Sequence, residues 1–436
     1  MKLTNKKACL AAMLLLPCMV WGQQRITLDH LLRLSDEQSV SINSYAAAVE
    51  SARQNEASAK AARLPDLGIT ASVGYLGDGL LGDRDFSSWQ HISNPHFMNN
   101  FALKAQQVIY SGGAIESQIA IAGLNTQIAR LDHTRNRQEI RFLIASHYLD
   151  LCRIQNRREV VERNIRLTDK VLENTKARYH QGTALKTDIT RHELQLESLR
   201  LQLTKLRASQ SVISHQLANM LHIDRDTIIA TDLDSLKRQY MAGQEQSEWQ
   251  MAAAENNANL QMARLAVKIN EKKVKLEKSA LLPKVSIVAE EHFDGPITNE
   301  VPVIDKNISY WFAGIGVSYN LSSIYKGNKR IRQSKATLSQ SKEQLAEATE
   351  HTADAIQSTF TDYKTALSEL TTQKKSVELA DMRYKVTENR YSNGLALLTD
   401  MLDASNSKLE AELSLVDADI NIIYNYFKLK YISCSL

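Results

Sequence analysis

Proline and glycine are scarce, six and sixteen in 436 residues. So few breakers favour long helices over tight turns. Cysteine is scarcer still: Cys9 and Cys18 fall in an amino-terminal segment expected to be removed, which leaves Cys152 and Cys434, too few for a disulfide framework in a chain this size. The net charge is small, formally +4, with Lys2, Lys6 and Lys7 contributing three of it. Charge therefore implies no nucleic acid or other polyanionic partner. No nucleophile–base motif, phosphate-binding glycine loop or paired-histidine metalloprotease helix occurs. No catalytic residue, cofactor or enzymatic activity is expected. His91 and His96 share a stretch with Asp83 and Asp85, but a polar exposed loop accounts for them and no metal site is assigned.

Residues 1–22 have the three-part layout of a secretory signal: basic Lys2, Lys6 and Lys7, an apolar run from Ala8 to Val20, and small Gly22 before Gln23. The mature chain is expected to leave the cytoplasm. Cys18 raises a lipoprotein reading, against which stands Pro17, where a lipobox takes a small residue.

The strongest pattern is a repeat. Arg178-Tyr179-His180-Gln181-Gly182-Thr183-Ala184-Leu185-Lys186-Thr187-Asp188 returns as Arg390-Tyr391-Ser392-Asn393-Gly394-Leu395-Ala396-Leu397-Leu398-Thr399-Asp400, both fitting RYxxGxALxTD. Each copy lies between long helix-period segments, with a glycine suited to the left-handed residue past a helix end and a Thr-Asp pair suited to open the next helix. Both read as tips of helical hairpins. Tyr148 and Asp150 fall opposite Phe360 and Asp362 at the same spacing, and Leu64-Pro65 opposite Leu282-Pro283, so the chain is a tandem duplication.

Taken in order, Ile26 to Ala62 predicts a helix broken near Ser39 and stopped by Leu64-Pro65. The period then changes to two. Leu67, Ile69, Ala71, Val73 and Tyr75 alternate with small and polar residues, a polar stretch from Gly77 to Asn100 reads as a long loop, and Phe101, Leu103, Ala105, Gln107 and Ile109 alternate again. The second half repeats this, with Val285, Ile287 and Ala289 going out and Trp311, Ala313, Ile315, Val317, Tyr319 and Leu321 returning. About ten residues of alternation with aromatic ends is the pattern of a transmembrane β-strand. Trp311, Ile315, Val317 and Tyr319 are the expected lipid-facing residues, and Gly314 faces the other way. From Gly113 to about Tyr179 no proline intervenes, which predicts a helix of roughly 100 Å. The returning segment carries Leu196, Leu199, Leu203 and Leu206 at alternating steps of four and three. The second half is expected to hold a helix from Glu248 to Leu281, a long one from Ile331 to Arg390, and a final stripe from Leu398 to Phe427. With both hairpins hung from their tips, Cys152 and Cys434 are offset by roughly 15 Å at helical rise and should stay unpaired.

The expected divisions are a signal peptide at 1–22, a first repeat at 23–222 with its β-hairpin at about 67–110 and tip at 178–188, a linker or equatorial segment at 223–247, a second repeat at 248–430 with its β-hairpin at about 285–321 and tip at 390–400, and a tail at 431–436. Four strands per chain leave open edges that cannot face lipid, so the barrel must be closed by further copies. Two copies give about eight strands and a filled lumen; three give about twelve and room for water.

In this order and in duplicate, these features resemble the TolC family of outer-membrane efflux factors. The most specific stretch is Gly394 to Asp403, whose Asp400 and Asp403 match the aspartate pair ringing the periplasmic entrance in family members. The resemblance implies a homotrimer, a twelve-stranded β-barrel in the outer membrane of a Gram-negative envelope, and an α-barrel tunnel of duplicated helical hairpins across the periplasm. It implies passive export in a tripartite efflux or type I secretion system, with a periplasmic adaptor and an inner-membrane pump as partners. Adaptor contact is then expected at Gly182, Gly394, Arg178, Tyr179, Arg390 and Leu395, and a pore constriction at Asp400, Asp403, Asp188 and Tyr391. Family members place an arginine two positions past the tip glycine to tie neighbouring hairpins; here that position is Ala396, so Tyr391 to Asp188 contacts, packing, or a basic neighbour such as Lys186 or Arg390 must serve. The alternative is a soluble periplasmic coiled-coil scaffold or adaptor without a pore.

Overall fold

The computed structural model describes residues 27–224, 229, 231–240 and 245–436. The signal segment, Cys18 and parts of the 223–247 linker lie outside the described residues. The elements in chain order are α1 (Leu28–Gln38), α2 (Val40–Ala61), β1 (Asp66–Tyr75), β2 (Gly79–Gly82), β3 (Trp89–Ile92), β4 (Phe97–Tyr110), α3 (Ala114–His180), α4 (Lys186–Leu221), α5 (Leu233–Tyr240), α6 (Gln246–Asn256), α7 (Ala258–Ser279), β5 (Lys284–Gly295), β6 (Ile308–Ser318), α8 (Ser322–Ser392) and α9 (Leu398–Ile432). Two compact units emerge, one of Met1–Asn43, Arg137–Ala253 and Asp354–Leu436, the other of Ser44–Asn136 and Ala254–Ala353.

The second unit holds the strands. β1, β4, β5 and β6 form one antiparallel sheet in that order, with β1 and β6 at its edges. Register puts Leu67, Ile69, Ala71 and Val73 on the same face as Phe101, Leu103, Ile287, Trp311, Ile315 and Val317. This face is apolar yet exposed: Ile69 is 82% exposed, Trp311 76% and Ile315 73%. A contiguous bare apolar surface of that kind is made for lipid or a partner, not for water. The opposite face is polar and bonded across the strands. Asn100 Nδ2 donates to Asp294 (2.6 Å), Gln106 to Ser286 Oγ (3.1 Å), Lys104 pairs with Glu290 (3.5 Å), and the His292 ring stacks on Tyr310 at 5.0 Å. Glu291 is an exception, standing on the apolar face between Leu103 and Trp311.

Three sequence expectations need correction here. The predicted loop from Gly77 to Asn100 contains the β2–β3 hairpin, and β4 begins at Phe97; too few residues alternate in the short hairpin for the period to register. β6 ends at Ser318, so Tyr319 stands one residue beyond the strand, because Asn320 already accepts the Ser322 N–H (3.0 Å) at the start of α8. For the same reason α8 begins at Ser322 rather than Ile331.

The segment predicted as one helix from Glu248 to Leu281 is two. Asn257 turns the chain, with φ −59° and ψ 117°, and its side chain accepts the Leu260 N–H at 3.0 Å to cap α7. Ser39 does the same between α1 and α2, with ψ 118°. The duplication thus extends to the breaks.

Two of the buried clusters in the first unit follow the repeat. Leu31, Ile144, Tyr148, Leu149, Leu217, Ile420 and Phe427 form one; Trp249, Ile356, Phe360, Tyr363 and Ile422 belong to the other. Tyr148 and Phe360, matched in sequence, are both buried. In the predicted linker, α5 packs on α9, with Lys237 Nζ 2.5 Å from Asp419, while Gln155 grips the segment before it through Ile229 and Thr231. Asp36 of α1 takes bidentate hydrogen bonds from both Arg137 and Arg141, and Arg141 reaches on to the Leu436 carbonyl (2.9 Å). The tail is therefore docked. Cys152 is fully buried, and it forms no disulfide with Cys434.

Candidate functional site

Both hairpin tips lie in the first unit, and each obeys the same backbone rule. Gly182 (φ 74°) and Gly394 (φ 77°) occupy the left-handed position past the ends of α3 and α8. At the first tip Thr183 N–H donates to the Arg178 carbonyl and Gly182 N–H to that of Tyr179, both at 2.9 Å. At the second, Leu395 N–H donates to Arg390 (2.7 Å) and Gly394 N–H to Tyr391 (3.0 Å). This pair of bonds is the Schellman cap. It explains the spacing of Arg-Tyr-x-x-Gly: Arg and Tyr supply the two capped carbonyls and glycine the positive φ. The arginine side chain then spans the turn, Arg178 to the Thr183 carbonyl (3.5 Å) and Arg390 to the Leu395 carbonyl (3.4 Å). An added Cβ at either glycine meets nothing within 4 Å, so both tips face open space.

The next helices open with the expected Thr-Asp pairs, Thr187-Asp188 and Thr399-Asp400, in their first turns. The N-cap positions are Leu185 and Leu397, not the threonines, and the caps come from the carboxylates three residues on. Asp188 Oδ2 accepts the Leu185 N–H at 3.1 Å and Asp400 Oδ2 that of Leu397 at 3.2 Å. A leucine side chain has no acceptor, so only this half of a capping box operates.

Above the caps the copies diverge. Tyr391 is 9% exposed and Tyr179 41%. Tyr391 packs with Tyr384, Leu398 and Met401, joined by half-buried Ala396. Arg178 donates to the Tyr391 carbonyl (3.0 Å) and lies over its ring, 5.2 Å from the centroid. Within the chain, Arg178 is therefore a cation that ties one tip to the other. Among the described residues, Tyr391 and Asp188 make no hydrogen bond to each other. Asp400 and Asp403 are both exposed. Asp403 is ion-paired with Arg383 of α8, so the two carboxylates are not electrostatically equivalent.

Three participants were not read from the sequence. His192 is 2% exposed, its ring edge-on to Tyr391 at 6.4 Å, with Nε2 lacking a hydrogen-bond partner among the described residues. Burial pushes its pKa down, against the opposing pull of Asp188. A signal existed: His192 continues the stripe of Leu196, Leu199, Leu203 and Leu206 one step toward the tip. Tyr384 is the second, its hydroxyl pushed up to about 12 by burial first and by Glu388 next. Arg383 is the third; nothing in its local sequence sets it apart from other exposed arginines.

The arrangement provides two capped, solvent-facing turns with exposed Leu185, Leu395 and Leu397, and acidic groups just above them.

The outer membrane efflux protein family model matches residues 31–221 and 249–430, one match for each repeat. The outer membrane efflux protein BepC of Brucella suis biovar 1 is 22% identical over 442 residues, covering 97% of this chain and 90% of its own. Among solved structures, VceC of Vibrio cholerae superposes with a TM-score of 0.76 at 18% identity, covering 93% of this chain and 95% of its own. The open-state MtrE channel of Neisseria gonorrhoeae gives 0.75 at 14%, covering 94% and 89%. With both repeats matched and the fold shared, the chain belongs to the outer membrane efflux protein family.

Proposed function

We propose that this chain forms the outer-membrane duct of a tripartite export system, three copies closing a twelve-stranded barrel continuous with a helical tunnel. The observation that carries this reading is the sheet: four antiparallel strands with one exposed apolar face, one polar hydrogen-bonded face and two unpaired edges. In a bilayer such edges must be paired. A soluble scaffold has no use for Ile69, Trp311 and Ile315 in water. The two capped tips are the docking points for a periplasmic adaptor, and an inner-membrane pump selects the cargo. Asp400 and Asp403 line the periplasmic constriction, with Asp188 and Tyr391 at its margin. Export is passive, the duct opening when adaptor and pump engage.

The test is reconstitution. Detergent-purified protein should run as an assembly about three times the 49.0 kDa chain and conduct ions in a planar bilayer. A buffer-soluble monomer, or an outer-membrane oligomer with no conductance, would refute the duct.

A further inference from the structure

In the second unit, where strands give way to helices, α7 and the start of α3 flank a groove of about 400 Å³. Its lining includes Lys272, Lys275, Lys278, Ser117 and the apolar wall of Leu282, with Glu116 the one acidic group. Gly112 makes the close approach possible. At φ 63° it brings the turn before α3 so near α7 that a Cβ would lie 2.9 Å from the Leu282 side chain and 3.0 Å from the Ser279 carbonyl. Among the described residues, none of the three lysines has an acidic partner. The surroundings add to the charge. Residues 268–284 carry six lysines against two glutamates, and residues 322–335 carry five basic residues and no acidic one. This collar therefore holds more net positive charge than the +4 of the whole chain.

In the barrel proposed above, on which this inference rests, the groove opens on the outer surface and not on the lumen. Leu76 N–H donates to the His96 carbonyl at 2.9 Å, and the register from Tyr75 opposite Phe97 makes that a hydrogen-bonded pair. Even-numbered residues of β4 therefore turn their backbone groups toward β1. Those residues, Asn100, Lys104 and Gln106, also carry the polar face. For L-residues in a strand descending to the helices with its polar face inward, β1, β4 and β5 then follow clockwise, seen from the loop end. Thr126 Oγ1 donates to the Ala52 carbonyl (3.1 Å), which marks the α2 side of α3. Nine residues earlier, at about 100° per residue, Ser117 points the opposite way toward α7, and Glu116 lies on the flank between. A right-handed helix descending in that order turns this flank outward.

Leu67 to Tyr75 extends about 27 Å along the strand, comparable with the apolar band of an outer-membrane barrel. Headgroups of the inner leaflet then fall just below Leu67, at the level of Leu64, Leu282 and the groove. We propose that this groove binds the headgroup of an anionic phospholipid, its phosphate held by Lys272, Lys275 and Lys278 and its glycerol end against Leu282. The apolar strand face receives the chains directly above.

The test is native mass spectrometry of the detergent-solubilised assembly, titrated with phosphatidylglycerol and with phosphatidylcholine of the same acyl chains. Wild type should retain phosphatidylglycerol about tenfold better. Lys272→Gln with Lys275→Gln and Lys278→Gln should reduce that preference to about twofold or less, and Lys275→Gln alone to an intermediate value. Equal charge removal elsewhere, Lys170→Gln with Lys205→Gln and Lys374→Gln, should leave it unchanged. Equal retention of both lipids by wild type, an unaltered preference in the groove triple, or an equal loss in the control triple would overturn the assignment. The measured mass reports assembly in the same spectrum.

Discussion

Replacing Gly394 separates what the second tip needs for its own fold from what it needs for a partner. Its φ of 77° costs an L-residue about 1–2 kcal/mol, partly offset by about 0.4–1 kcal/mol from a stiffer unfolded chain. No steric term arises, because a Cβ there meets nothing within 4 Å. Gly394→Ala should therefore destabilise the turn by about 1 kcal/mol, roughly fivefold in its opening equilibrium. The loss should appear as about fivefold faster amide exchange at Leu395, whose N–H closes the cap on Arg390 at 2.7 Å. Gly394→Asn, better suited to the left-handed region, should accelerate exchange less. Gly394→Trp should cost the backbone about what alanine does, since its ring projects into solvent. In cells the order changes: Ala and Asn variants should still export, whereas Trp should abolish efflux with assembly and outer-membrane location intact. Normal efflux by Gly394→Trp would remove the tip from the docking account. Equal exchange in the Ala variant and wild type would refute the cap.

Further tests address the membrane, the gate and pH. Ile315→Arg, on the bare face of β6, should cost about 2–4 kcal/mol at mid-bilayer, read as loss of assembled protein, while Gly314→Ser on the opposite face should assemble normally. Asp400→Ala with Asp403→Ala should weaken block by divalent cations added from the periplasmic side of a planar bilayer; Arg383→Gln, which frees Asp403, should strengthen it, and an unchanged block in both would take these residues out of the constriction. His192 is held neutral by burial, so its folded pKa lies below the unfolded value of about 6.5. Its contribution is complete above that pH and is lost as pH falls toward the depressed value. Amide exchange around Met401 should accelerate on acidification in wild type and much less in His192→Leu; identical pH dependence would exonerate the histidine.

How much of this was legible follows from the length of each signal. The break at Ser39, the strands after Leu64-Pro65 and Leu282-Pro283, and the two tips were readable because period changes and a duplicated motif each span many residues. The β2–β3 hairpin was not, since four-residue strands give only two alternations. Nor was the break at Asn257, where one capping side chain ends a helix whose apolar stripe continues. At the site, the glycines, Asp188 and Asp400 came from the repeat and Asp403 from the family resemblance, but the roles of Arg178 and Arg383 depend on partners 213 and 20 residues away. His192 was hidden by its type, because a histidine on a leucine stripe is easily passed over.

The unpaired edges of β1 and β6 have a genetic consequence. If the barrel closes only between chains, as in the proposed trimer, no chain reaches its working state alone, and each inherits its neighbours' defects. A variant that assembles but cannot dock, made in equal amount with wild type, would leave about one trimer in eight free of it. Such an allele should behave as dominant, whereas one that fails to enter the membrane should be recessive. Inheritance in a merodiploid strain would then distinguish damage at the tips from damage at the sheet without any purification.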